Sequence, residues 1–223
     1  MSYVDDDDSF GSFSDGETND VAESPTFAVT DLLTSLGEKN QDADYLVTKG
    51  NDLVILLQQY PYIKEDLVFS AFGHRIQNLL IHSKKEVVAT GYRICRYFVS
   101  DTNSIKNLMA LRIDVMIVVS FAKGAGYDIE REQALKLVRR IMAVKDGVNE
   151  LTLGIANAIQ AIAEQIDEKM RNVCIQTMCE MSLLRPDLIR PDSLVQFIID
   201  GPFEQSHICT IVLLAHLDSA VGR

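Results

Sequence analysis

Gly91-Tyr92-Arg93-Ile94-Cys95-Arg96 can be laid over Ala134-Leu135-Lys136-Leu137-Val138-Arg139, and small residue meets small, apolar meets apolar and basic meets basic. Each segment leads into a turn and then a second apolar helix. A third stretch, Cys174-Ile175-Gln176-Thr177-Met178-Cys179, keeps the apolar positions and drops the positive charges. The interval between them is about forty residues, the length of a stacked helical repeat. Such a unit cannot bury its apolar face alone and is stabilised by its neighbours, which makes extended binding surfaces. The expected chain is therefore all-α and built to bind.

Helical periodicity extends outward from these segments. Asp44 to Gln59 places Leu46, Leu53, Val54, Leu56 and Leu57 on one side and stops at Tyr60-Pro61, since proline disfavours helix in the residue before it. Lys64 to His82 carries Leu67, Val68, Ala71, Phe72, Ile76, Leu79 and Leu80 at three- and four-residue steps. Ser83 with Glu86 has the pattern of a capping box for a helix over 84–99. Further helices are predicted over 104–122, 129–144, 148–165, 168–184, 187 or 192 to 199, and 204–217. No segment alternates as a strand does. These features predict an armadillo/HEAT-like right-handed α-solenoid. Gly154, Ala156, Ala158, Ala161 and Ala163 predict close helix packing in its middle.

The formal charge of −11 is uneven, because residues 1–24 hold eight acids and no base. Residues 1–26 read as a disordered acidic tail, too poor in apolar groups to repay the entropy of ordering. Residues 27–41 read as a partly ordered linker, and 42–223 as the repeat domain. The body carries 24 acids against 21 bases, which leaves no basic footprint for nucleic acid. Ile208, Ile211, Val212, Leu213, Leu214 and Leu217 make the last helix strongly apolar, where a complete array ends in a polar face. The domain is accordingly expected to be incomplete at that end.

Little in the chain points to reactive chemistry. Cys95, Cys174, Cys179 and Cys209 lie in apolar helical patterns without a C-x-x-C pair, as buried free thiols of a reducing compartment do. His74, His82, His207 and the cysteines lack zinc spacing. Gly124-Ala125-Gly126 lacks the strand and third glycine of a dinucleotide loop. Ser83 beside His82 has no glycine-flanked elbow. Neither a signal peptide nor a membrane span is visible. Neither catalysis nor a cofactor is expected, and the expected address is the cytoplasm.

Glu130-Arg131-Glu132-Gln133-Ala134-Leu135-Lys136-Leu137-Val138-Arg139-Arg140-Ile141-Met142 resembles a signature of the N-terminal armadillo-like region of the Rictor family. Ala158 to Glu164, and then Arg171 to Ser182 with its Cys174 and Cys179-Glu180, resemble the helices that follow it in that family. Lys85 to Tyr97 resembles a helix upstream. The resemblance spans roughly residues 50–217. It implies a scaffold without catalysis of its own, serving target-of-rapamycin complex 2. The implied partners are the kinase and its complex-2 subunits, with outputs to growth, the actin cytoskeleton and kinases of the protein kinase B type. Membrane association would come through those partners.

Two surfaces are candidate binding sites. Arg93, Arg96, Lys136 and Arg139, joined by Arg140, fall in register and predict a row of cations for an acidic or phosphorylated segment. In the tail, Phe10 and Phe13 flank Gly11-Ser12 amid aspartates, similar to the acidic peptides that clathrin-adaptor ear domains bind. Ser12 and Ser14 each have an acid three residues on, the pattern of acid-directed phosphorylation. A trafficking accessory protein is therefore the alternative reading.

Overall fold

The computed structural model describes residues 24–38, 41–124, 126–165, 169–200 and 203–221. All regular structure among them is helical. The elements are α1 (Pro25–Ser35), α2 (Ala43–Gln59), α3 (Ile63–Asp66), α4 (Phe69–Leu80), α5 (Lys85–Phe98), α6 (Thr102–Ala110) and α7 (Ile113–Ala122). They continue as α8 (Asp128–Met142), α9 (Leu153–Ala163), α10 (Arg171–Leu184), α11 (Val195–Asp200) and α12 (Phe203–Val221), with 3₁₀ turns at Gly147–Glu150 and Pro191–Leu194.

A row of helices runs α1, α2, α5, α8, each packed on the next, and α10 continues it through a lighter contact with α8. A second layer backs this row: α4 packs on α5, α7 on α8 and α9, and α9 on α10. Between the layers lies one continuous core, from Val29 and Leu33 through Leu53, Ile76, Tyr92, Ile117, Leu137 and Ile159 to Met178 and Phe197. The two aligned segments sit back to back in this core, since Tyr92, Ile94, Cys95, Leu135, Leu137 and Val138 are all buried. Gly50 lets α2 and α5 approach closely, because a Cβ there would overlap the Thr90 methyl.

The segment read as a linker is more ordered than expected. Pro25 opens an 11-residue helix, a position where proline costs no hydrogen bond, and Val29, Leu32, Leu33 and Leu36 bury one face against α2 and α4. Arg75 then ties α1 down by donating to the Leu33 carbonyl at 2.9 Å.

Three local readings are corrected. Ser83 does not cap α5: the capping position falls to Lys84, without a side-chain cap bond, and the Lys84 N–H donates to His82 Nδ1 at 3.1 Å. The predicted helix over 104–122 breaks at Arg112, whose φ of 60° is left-handed, and α6 starts earlier on a capping box between Asp101 and Ser104. Among the small residues of α9, Ala156 and Ala163 are buried, Ala158 is half-buried, and Gly154 and Ala161 face solvent. Close packing therefore uses only one side of that stripe.

At the carboxyl-terminal side α12 packs on α10 and α11 through Cys209 and Val212, while Ile208, Ile211 and Leu214 are exposed. Ile199 of α11 is 75% exposed beside them.

Candidate binding surface

Several polar bonds between repeats share nearly one sequence separation. Arg93 donates to Asn51 Oδ1 at 2.7 Å, Lys85 to the Gly126 carbonyl at 2.6 Å, and Arg140 through Nε and Nη2 to the Val99 carbonyl at 3.1 and 2.9 Å. Arg139 donates to Gln176 at 3.4 Å and Glu180 at 3.2 Å, and Thr102 to the Lys145 carbonyl at 3.2 Å. These partners, with the Arg75–Leu33 bond, lie 37 to 43 residues apart, so each bond crosses one repeat boundary. Long cationic side chains reach from one repeat to the next because their stems lie along apolar helix surface while the heads stay near water.

The five cations singled out from sequence fall on two adjacent helices, Arg93 and Arg96 on α5 and Lys136, Arg139 and Arg140 on α8. Each has an intramolecular partner. Lys136 pairs with Glu132 at 3.1 Å, one turn back on its own helix, and Arg139 pairs with Glu180. Arg96 lies 5.5 Å from the centre of the Tyr97 ring. The Tyr97 hydroxyl accepts from Gln58 of α2, joining the carboxyl-terminal ends of α2 and α5. Phe10, Phe13, Ser12 and Ser14 lie outside the described residues.

A buried polar cluster at the start of α8 was not legible in the sequence. Glu130, at 0% exposure, accepts from Ser120 Oγ at 2.5 Å and pairs with Lys123 at 2.6 Å. Ser120 Oγ also lies 2.8 Å from the hydroxyl of buried Tyr92. Burial pushes the Tyr92 phenol well above its usual range, against the pull of the Ser120 bond, and the Glu130 charge adds to the rise. The cluster joins α5, α7 and the start of α8, so it fixes three helices at once. Its one signal in the sequence is a charged pair, Glu130-Arg131, inside an apolar period.

Two of the buried thiols, Cys95 and Cys179, are held protonated, while the hydrogen bond from its partner Cys179 lowers Cys209. Burial raises Cys95 to about 12. Cys179 Sγ lies 3.7 Å from Cys209 Sγ, and that hydrogen bond, burial and the neighbouring Glu180 push the Cys179 thiol far above its ordinary value. Among the described residues no three His, Cys, Asp or Glu side chains converge as metal ligands, and no helix is long and apolar enough to cross a membrane.

Comparison with known proteins agrees with this architecture. The family model for the N-terminal region of "Rapamycin-insensitive companion of mTOR" matches residues 47–223. The target of rapamycin complex 2 subunit TSC11 of Saccharomyces cerevisiae is 38% identical over 173 residues, 78% of this chain and 12% of that protein. The rapamycin-insensitive companion of mTOR of Mus musculus is 26% identical over 62% of this chain and 8% of its own length. Protein pianissimo A of Dictyostelium discoideum is 25% identical over 92% of this chain and 19% of its own. The chain thus spans less than a fifth of these relatives. A designed armadillo repeat protein superposes with a TM-score of 0.64 at 11% identity, covering 84% of this chain and 81% of that one.

Proposed function

The chain belongs to the family of the N-terminal region of rapamycin-insensitive companion of mTOR, and from that premise we propose that it is a non-catalytic scaffold element of a target of rapamycin complex 2. The observation that carries this reading is the extent of the match. Residues 47–223 take in most of α2 and every helix after it, so the shared feature is a whole stacked surface and not one motif. Four of the relatives matched are themselves named as target of rapamycin complex 2 subunits or as a companion of mTOR. None is named for clathrin adaptors.

The described residues support a scaffold physically. Their charged groups join repeat to repeat and form a buried network, and the Cys95 and Cys179 thiols are held protonated. Binding then falls to helix faces, as solenoids bind. The protein works in the cytoplasm on this reading, reaching membranes through its partners.

The test is to tag the chain in its own cells at native level, purify it gently and identify co-purifying proteins by mass spectrometry. Recovery of the target of rapamycin kinase with other complex 2 subunits is expected. Repeated recovery of the intact chain without any of them would overturn the reading.

A further inference from the structure

The row of cations divides into two kinds. Lys136 and Arg139 meet the carboxylates of Glu132 and Glu180, which cancel their charge. Arg93, Arg96 and Arg140 are instead held by neutral groups: an amide oxygen, an aromatic ring and a backbone carbonyl. None of these three pairs with a carboxylate among the described residues. A neutral acceptor fixes a guanidinium in place and leaves its charge unspent.

A fourth cation stands at the same edge. Lys64 lies in α3, which follows directly on the end of α2 that Gln58 ties to Tyr97, with the Ile63 N–H donating to the Tyr60 carbonyl at 3.1 Å, and burial together with the charge of Arg140 lowers its pKa. The edge is built by bonds already described, Gln58 to Tyr97 between α2 and α5 and Arg140 to Val99 between α8 and α5. Aromatic surface accompanies the charge there. Tyr62, just before Lys64, is 56% exposed and meets Tyr60 edge-on at 6.1 Å, and Tyr97 is half-buried under Arg96.

We propose that the edge formed by Arg93, Arg96, Arg140 and Lys64 is an anion-binding surface, and that its occupant is the chain's own acidic segment, residues 5–15. Charge complementarity is the first ground, since residues 1–24 hold eight acids and no base while the rest of the chain is close to neutral. Composition is the second: Phe10 and Phe13 stand among the acids as Tyr62 and Tyr97 stand among the cations. Reach is the third. The ten residues from Asp15 to Pro25 span up to about 33–36 Å, whereas the row from α1 through α2 and α5 to α8, which carries Arg140, takes three interhelical steps of about 8–10 Å each. Tethering by a short linker supplies an effective concentration in the millimolar range, so weak ionic contacts suffice. Phosphorylation of Ser12 and Ser14 deepens the negative charge and offers the guanidiniums oxygens for forked bonds. The segment then acts as a built-in competitor for any acidic partner of this edge. This inference does not depend on the complex to which the chain belongs.

Zero-length carbodiimide coupling of carboxylates to lysines in the whole chain, followed by peptide mass spectrometry, tests it. The expected result is intramolecular linkage of Asp5–Asp8 or Asp15 to Lys64, lost in 1 M salt, where the screening length is about 3 Å. R96Q removes only a contact with a ring and should lower the yield at least threefold without changing the thermal melt, and R96Q/R140Q at least tenfold. Equal linkage to Lys106 or Lys145, or a yield indifferent to salt and to R96Q, overturns the proposal. So does linkage between molecules, which would make a second copy the occupant. As an independent arm, a peptide of residues 3–16 should bind a D5N/D6N/D7N/D8N chain at least fivefold more tightly when Ser12 and Ser14 are phosphorylated. Equal affinity of the two peptides counts against the guanidinium edge as their receptor.

Discussion

The junction of α5 with α8 and the junction of α10 with α12 are both helix-on-helix contacts of stacked repeats, yet they are held differently. At the first, apolar packing is joined by a buried Tyr92–Ser120–Glu130–Lys123 network and by cations that cross the repeat boundary, Lys85 and Arg140 among them. At the second, the polar contacts include a thiol pair at 3.7 Å and a Ser182–His216 bond at 2.9 Å, and apolar residues of α11 and α12 stay exposed. The sequence foreshadows this, because the third aligned segment keeps the apolar positions and loses the basic ones. Shared apolar periodicity sets where helices stack. Charged side chains that reach one repeat further set how firmly and in what register.

The comparison breaks most visibly at the buried network. Glu130→Ala leaves Lys123 without its carboxylate and Ser120 without its acceptor, and should cost about 3–5 kcal/mol, the loss seen when one partner of a buried pair is removed. Urea unfolding of the variant measures it, and a loss under 1 kcal/mol would show that the network is ornamental to the α5–α8 junction. Tyr92→Phe keeps the packing but removes the hydroxyl from Ser120, and about 1–2 kcal/mol is expected by the same measurement.

The other junction is tested by a contrast. Ile208→Ser with Ile211→Ser replaces exposed groups on α12 and should change stability by no more than about 0.5 kcal/mol. Amide hydrogen exchange sharpens the same contrast, since α12 should open locally at lower free energy than α5 and α8. Equal protection of the three helices would place both junctions in one cooperative unit.

A further contrast of about the same size lies between α6 and α7. Arg112 holds a left-handed backbone that favours glycine, so Arg112→Gly should be neutral or stabilise by up to about 1 kcal/mol. A continuous helix would instead lose about 1 kcal/mol at that substitution. A thermal melt separates the two.

Much of the fold was legible because apolar spacing at three and four residues, repeated at a forty-residue interval, has one economical solution in stacked helices. The α5 and α8 segments could be aligned on six residues each, and both proved to be neighbours in the core. The helix over 25–35 was underestimated because its apolar set, Val29, Leu32, Leu33 and Leu36, is short and is stabilised by Arg75 and by α4, neither of which is local. The break at Arg112 escaped because nothing in Leu111-Arg112-Ile113 opposes helix by propensity. Ser83 looked like a cap by type, but α5 begins one residue later, with Lys84 at the capping position and no side-chain cap bond.

The candidate surface was legible only as residue types. Sequence placed Arg93, Arg96, Lys136, Arg139 and Arg140 in register, because a repeat fixes which positions share a face. It could not say which of them keep an unspent charge. That depends on whether a carboxylate or a carbonyl comes within about 3 Å, a distance set by how neighbouring repeats pack. By itself the sequence determined an all-α stack of repeats and an uneven distribution of charge, since both follow from residue type and period. The tertiary structure alone decided that Arg139 is neutralised by Glu180, that Arg93 and Arg140 are held by an amide oxygen and a backbone carbonyl, and that Glu130 is buried against Ser120 and Lys123. Coulombic partnership acts through space, and helices forty residues apart become neighbours only when the repeats close on one another.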